Sequence, residues 1–160
     1  MIKVLIILLI WFYVPDSLLG NISTIDVHRD DFHGRFLGLH TDWYQGSESI
    51  TQVRDPAFEK RFRRGVTSVV SQGISKAEFW YRIQFSNSGN NQHKIYFQSL
   101  SNLGEYLEVY QDSEILRIFT SEDLPVNRII PITIAPGDIT TIYLKHRIVG
   151  GAHQALPLLF

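Results

Sequence analysis

The sequence of 160 residues contains no cysteine. This absence excludes disulfide bonds, thiolate metal sites and a cysteine nucleophile together, although it does not identify the cellular compartment. Charge is also sparse, because charged residues make up 19% of the chain and leave a formal net charge of −1. Nucleic-acid binding usually requires a clearly basic face, so we exclude nucleic acid as a partner.

Catalytic signatures are missing as well. The sequence has no Gly-x-Ser-x-Gly elbow, no His-Glu-x-x-His, no glycine-rich phosphate loop and no Ser-x-x-Lys pair. Acidic residues do occur in pairs, at Asp30/Asp31, Glu105/Glu108 and Glu122/Asp123. A glycoside hydrolase, however, needs two carboxyl groups at a defined separation across a cleft, which adjacency in sequence cannot show. We therefore predict a protein that is not an enzyme and uses no cofactor.

Two further polar clusters do not identify a ligand. His28 and His33 flank a pair of aspartates, but a spacing of five residues does not place the two imidazoles together, so a solvated loop is favoured over a metal site. The run Lys60–Arg64 is densely basic. Such runs are usually solvated faces, with contact to an anionic lipid headgroup as the alternative.

The N-terminus has the organisation of an export signal. Lys3 supplies a positive charge, Val4–Val14 is an unbroken apolar run, and Pro15 and Gly20 follow it. A membrane-spanning helix needs about 20 apolar residues, whereas a run of this length is typical of a signal-peptide core. We predict a signal peptide over residues 1–20 and one exported domain over residues 21–160, with an uncleaved anchor as the alternative for the first segment.

The segment Phe79–Asn87 predicts the central strand of a β-sandwich. Its residues alternate between a large apolar set for the core, Phe79, Tyr81, Ile83 and Phe85, and a polar set that contains Trp80, Arg82 and Gln84. Further strands are predicted at short, regular intervals: 95–100, 106–110, 115–120, 129–135, 140–146 and 155–159. This spacing predicts an all-β antiparallel sandwich with one or two short helical turns, near Ser49 and Pro56.

The turn signal Ala135-Pro136-Gly137-Asp138 separates two predicted strands of matching length. We therefore predict that 129–135 and 140–146 form a β-hairpin.

A ligand-binding face is predicted where polar and aromatic residues share one side of neighbouring strands. Tyr106, Glu108 and Tyr110 alternate with apolar residues, as Trp80, Arg82 and Gln84 do. Aromatic rings beside a guanidinium and a carboxylate suit a sugar or another small polar ligand. The alternative is that Trp80 packs under a loop and Arg82 pairs with Glu108 inside the sandwich.

Several segments resemble those of one known family and occur in the same order along the chain. The segments are 39–44 with 49–53, the Phe79-Trp80-Tyr81-Arg82-Ile83 strand ending in Asn87, Leu107–Tyr110, Leu124-Pro125 with Arg128, and Ile142–Leu144. The sequence is similar to the second type of extracellular domain of bacterial seven-transmembrane receptors with diverse intracellular signalling modules.

This resemblance implies a jelly-roll sandwich similar to carbohydrate-binding modules, a location in the periplasm and a role in sensing. It adds Arg128 to the candidate ligand-binding residues, and it is compatible with a homodimer. Family members continue into seven membrane helices, whereas this sequence ends near Phe160, so it is either a receptor fragment or a free-standing domain. The alternative function is a structural or protein-interaction domain without a small ligand.

Overall fold

A computed structural model describes residues 22–30, 35–99, 105–120, 122, 129–148, 153–156 and 158–159. The strands are β1 (Thr24–Asp26), β2 (Asp42–Gln45), β3 (Arg63–Arg64), β4 (Val70–Ile74), β5 (Glu78–Ser86), β6 (His93–Ser99), β7 (Glu105–Gln111), β8 (Glu114–Phe119), β9 (Ile129–Ile134), β10 (Ile139–Ile148), β11 (His153–Leu156) and β12 (Leu158–Leu159). The prediction of an all-β antiparallel fold is confirmed. The predicted signal peptide lies outside the described residues.

The largest sheet is built around β5. Its strands follow the order β3-β2-β5-β10-β7-β8, and all of these pairs are antiparallel. β10 pairs with β5 from Glu78 to Ser86, and β2 occupies the opposite edge of β5 over Phe79–Arg82. β1 continues that opposite edge and runs parallel to β5. The strand predicted to be central is therefore central, with neighbours along both edges.

The core lies between this sheet and the three-stranded sheet β12-β6-β9. All four residues predicted for the core face of β5, from Phe79 to Phe85, are at most 2% exposed. They belong to one apolar cluster with alternate residues of β7 and β10 and with residues of β6 and β9 from the smaller sheet. The alternation read from the sequence thus correctly identifies the face of β5 that packs in this core.

Two short helical segments cover part of the opposite, outer face of the large sheet. Helix α1 (Ile50–Val53) begins with a complete capping box, in which Ser49 and Gln52 exchange hydrogen bonds. A 3₁₀ helix follows (Pro56–Arg61), with Asp55 as its N-cap and proline in its first turn. We refer to residues 49–62 as the helical cover. Another 3₁₀ helix spans Gly38–His40.

The predicted hairpin of β9 and β10 is wrong. β9 pairs with β6 in the smaller sheet, whereas β10 inserts between β5 and β7. The Pro-Gly turn carries the chain from one sheet to the other and is fastened to the end of β5, because the amide of Gly137 donates to the Asn87 carbonyl at 2.8 Å. Asn87 also donates from Nδ2 to the Ile134 carbonyl at 3.1 Å. Turn chemistry alone does not say which strands pair.

Candidate functional site

The candidate site is the outer face of the large sheet, where β10 separates the two strands that the sequence analysis singled out. Lys145 of β10 pairs with Trp80 on one side and Glu108 on the other, and Tyr143 pairs with Arg82 and Tyr110. Since directly paired residues point to the same face, the predicted residues of β5 and β7 share one surface. They do not adjoin, because a row of β10 side chains lies between them.

Trp80 lies beneath the helical cover. Its side chain is fully buried, and its indole Nε1 donates to the Glu48 carbonyl oxygen at 3.1 Å. It packs with Val53, Phe58 and Tyr143 in a second apolar cluster, separate from the main core. A buried indole normally finds such a hydrogen-bond acceptor. Trp80 therefore fastens the cover to the sheet.

Arg82 is 2% exposed and forms a buried ion pair. Its Nε and Nη2 each lie 3.2 Å from Oδ2 of Asp42, and Oδ1 of Asp42 lies 2.8 Å from Arg64 Nε. The ring of Phe62 covers the guanidinium, with its centroid 4.3 Å from Cζ. The pairing of Arg82 with Glu108 that the sequence analysis considered is therefore replaced by pairing with Asp42.

Burial raises the pKa of Asp42, while the guanidinium groups of Arg64 and Arg82 act in the opposite direction. This arrangement ties β2, β3 and β5 together beneath the cover.

Two further predicted ligand-binding residues are Gln84 and Arg128. Gln84 is half-buried, and its Oε1 accepts a hydrogen bond of 2.6 Å from the Thr24 hydroxyl, which joins β5 to β1. Arg128 lies outside the described residues.

The β7 side of the outer face is partly accessible, and Tyr110 at its border packs against the apolar cluster beneath the cover, with its ring centroid 5.8 Å from that of Trp80. Tyr106, Glu108 and Tyr110 are half-buried, and the Tyr110 hydroxyl donates to Oε2 of Glu108 at 2.5 Å. Burial and this hydrogen bond raise the pKa of Tyr110. A hydrogen bond to Glu108 also raises the pKa of Tyr106, with a smaller contribution from burial. One carboxylate thus lies between two phenols.

Two cations of β10 complete this region. Lys145 Nζ lies 3.3 Å from one oxygen of Glu78, and Arg147 Nη1 lies 3.6 Å from the other. Lys145 also lies over the ring of Trp80, and Arg147 over the ring of Tyr106, at 5.5 and 5.3 Å from the centroids. We refer to Glu78, Tyr106, Glu108, Tyr110, Lys145 and Arg147 as the open shelf.

Sequence reasoning missed Lys145 and Arg147, although β10 alternates as clearly as β5. The signal was present, since Thr141, Tyr143, Lys145 and Arg147 are spaced by two. The assumed hairpin paired the strand of Lys145 with β9 rather than with β5 and β7, and Arg147 lay beyond the predicted strand 140–146.

The described parts of the two polar clusters considered for other ligands make structural contacts, whereas Asp31 and His33 lie outside the described residues. In the basic run, Arg61 lies over the rings of Tyr44 and Phe58, and Arg64 pairs with Asp42. The ring of His28 contacts that of His93, with 5.7 Å between centroids. No group of three or more metal-ligating side chains occurs among the described residues.

Comparisons with known proteins identify the family of this domain. No curated protein matches the sequence. Among solved structures, the chain is similar to the GH31 α-xylosidase from Xanthomonas citri, with a TM-score of 0.41 and 14% identity over 74% of this chain and 13% of that chain. The domain thus spans about 13% of that enzyme's length, and a similarity of this size carries no inference about activity.

The family match is more extensive. The model of the 7TMR-DISM extracellular 2 domain matches residues 41–156, which include β2 to β11 and therefore both the helical cover and the open shelf. Within the described part of the chain, no helix has the length and apolar character needed to span a membrane. The chain belongs to the 7TMR-DISM extracellular 2 family, the exported, periplasm-facing domains of seven-transmembrane receptors.

Proposed function

We propose that this receptor domain binds a small polar ligand, with a carbohydrate as the favoured class, on the open shelf. The observation that carries the proposal is that, among the described residues, Trp80 and Arg82 are buried beneath the helical cover, whereas the other half of the outer face keeps solvent-accessible side chains. On that accessible half, two tyrosines and a carboxylate remain half-buried beside a lysine and an arginine. Trp80 and Arg82, which the sequence analysis placed in contact with ligand, act beneath the cover as supports.

The chemistry of the shelf suits a pyranose. The apolar face of a sugar ring packs against an aromatic side chain such as Tyr106 or Tyr110. Sugar hydroxyls are donors and acceptors at once, so they can donate to Glu108 and accept from the exposed Arg147. Each group contributes on the order of 1–3 kcal/mol when it is desolvated against a ligand. The family resemblance adds the expectation of a jelly-roll sandwich similar to carbohydrate-binding modules.

A thermal-shift screen of monosaccharides, organic acids and nucleosides tests the proposal. We expect a sugar to stabilise the parent and a Tyr96→Ala variant equally, because Tyr96 lies on the other sheet and is 56% exposed. The same sugar should stabilise a folded Tyr106→Ala variant much less, since about 1.4 kcal/mol of lost binding energy is a factor of ten in affinity. Absence of any shift with the whole panel would contradict the proposal.

A second candidate function is protein interaction, and one observation favours it. β8 is the last strand of the large sheet among the described residues, and it exposes Ile115, Leu116 and Ile118. An apolar edge strand is suited to association with another chain, including a second copy of this one. Sedimentation of the parent and of an Ile118→Lys variant distinguishes the two functions, because a loss of association in the variant would assign the edge to self-interaction.

A further inference from the structure

The open shelf has a negative pole at Glu108. In the described part of the chain, no lysine, arginine or histidine nitrogen lies within 4.0 Å of this carboxylate. Its cross-strand neighbour Lys145 is held by Glu78 instead, over the ring of Trp80. The Tyr110 hydroxyl donates a hydrogen bond to Glu108, and the same carboxylate raises the pKa of Tyr106. Phenols orient a carboxylate but supply no compensating charge.

The shelf also has a positive pole, on the other side of the β10 row. Glu78 is the shared partner of Lys145 and Arg147, with one oxygen directed to each. One carboxylate compensates one positive charge, so this group of three retains a net charge of +1. Arg147 is the more accessible cation, because 48% of its side chain is exposed, compared with 20% for Lys145. Its guanidinium offers the planar set of donors that matches a carboxylate.

The two poles are matched by a ligand that carries both signs of charge. An ammonium beside Glu108 would meet a carboxylate and the electron-rich rings of Tyr106 and Tyr110. A carboxylate beside Arg147 would compensate the surplus positive charge of the second pole. A neutral sugar leaves both poles without a counter-charge once it displaces water from the shelf.

We propose that the open shelf selects a zwitterionic amino sugar, with its amine on Glu108 and its carboxylate on Arg147. The inference rests on the proposed function, since it specifies the ligand class of the same surface. Lys145 and Glu78 act here as positioning residues, because their ion pair keeps the Lys145 ammonium away from Glu108. Charge on the ligand, rather than the stereochemistry of its hydroxyls, then dominates selectivity.

Four sugars form a matched test by isothermal titration calorimetry. Glucose carries neither charged group, glucosamine carries the amine, glucuronate carries the carboxylate, and muramic acid carries both. For the parent domain we expect glucosamine and glucuronate each to bind about tenfold more tightly than glucose, and muramic acid to bind most tightly. Glu108→Gln should remove the preference for the amine and keep that for the carboxylate. Arg147→Gln should do the reverse, and melting temperatures near that of the parent confirm that both variants fold.

The outcomes separate this inference from the proposed function. If glucose binds as tightly as the charged sugars, or if both preferences survive the two substitutions, the zwitterion inference is overturned while carbohydrate binding on the shelf stands. If none of the four sugars binds, carbohydrate binding on the shelf is itself contradicted, and the inference falls with it. Weakening of the charge preferences at high salt is expected, because exposed charges are screened.

Discussion

Replacing Arg82 with methionine tests whether this residue is structural or contacts the ligand. Methionine keeps most of the side-chain length under Phe62 but removes both hydrogen bonds of 3.2 Å to Asp42. Asp42, at 3% exposure, would then retain only Arg64 as a cation within 4 Å among the described residues. Removing one partner of a buried pair costs about 3–5 kcal/mol. Because Arg64 remains, we expect a loss of about 3 kcal/mol in the free energy of unfolding.

Urea denaturation followed by circular dichroism measures this loss. Arg64→Met is the matched control, because that side chain is 34% exposed, so water replaces part of the lost ion pair and we expect a smaller loss than for Arg82→Met. Adding Asp42→Asn to Arg82→Met should recover part of the stability, since it removes the carboxylate left under-compensated. A loss below about 1 kcal/mol for Arg82→Met, or a loss no larger than that of Arg64→Met, would refute the argument that the buried pair ties β2 to β5.

Four further predictions concern the fold, the shelf and the N-terminus. Ile83→Asp should abolish folding because Ile83 is fully buried, whereas Ile139→Asp should leave it intact because Ile139 is 63% exposed; circular dichroism distinguishes the two. Since the pKa of Tyr110 is raised above 10.0, the folded domain should keep this proton at a pH where the unfolded chain loses it, and stability should fall as the pH rises above 10; phenolate absorbance should show a late phase whose amplitude Tyr110→Phe reduces. Gly137→Ala should cost about 1–2 kcal/mol in urea denaturation, because φ at this position is +77°. Intact mass of the exported protein should correspond to cleavage near Gly20, and recovery of only the uncleaved, membrane-bound chain would show an anchor instead.

Local patterns predicted much of the fold. The alternation in β5 identified the face that packs in the main core, and Ser49 and Pro56 correctly marked the starts of the short helices, because each of these signals depends on residues a few positions apart. Strand pairing was not predictable in the same way. The Pro-Gly turn at Gly137 is compatible both with a hairpin and with a crossing between sheets, and the strands that pair with β9 and β10 come from distant parts of the sequence.

The candidate site was likewise predictable only where local patterns determine it. The residues of β7 were assigned to the correct face, since Leu107 and Val109 are buried while Glu108 is half-buried. The partner of Arg82 could not be chosen from sequence, because Asp42 lies forty residues away and is brought to β5 only by the pairing of β2. Likewise, nothing local to the strand indicates that the helical cover closes over Trp80.

Amide NMR of the labelled domain, titrated with a monosaccharide that produces a thermal shift, tests most directly whether the open shelf is the ligand-binding face. We predict that the perturbed amides belong to β7 and to the second half of β10, around Glu108 and Arg147, and that the helical cover and the outer face of β6 around Tyr96 change little. Perturbations centred on Tyr96, or spread along the β8 edge without any on β7 and β10, would contradict the assignment.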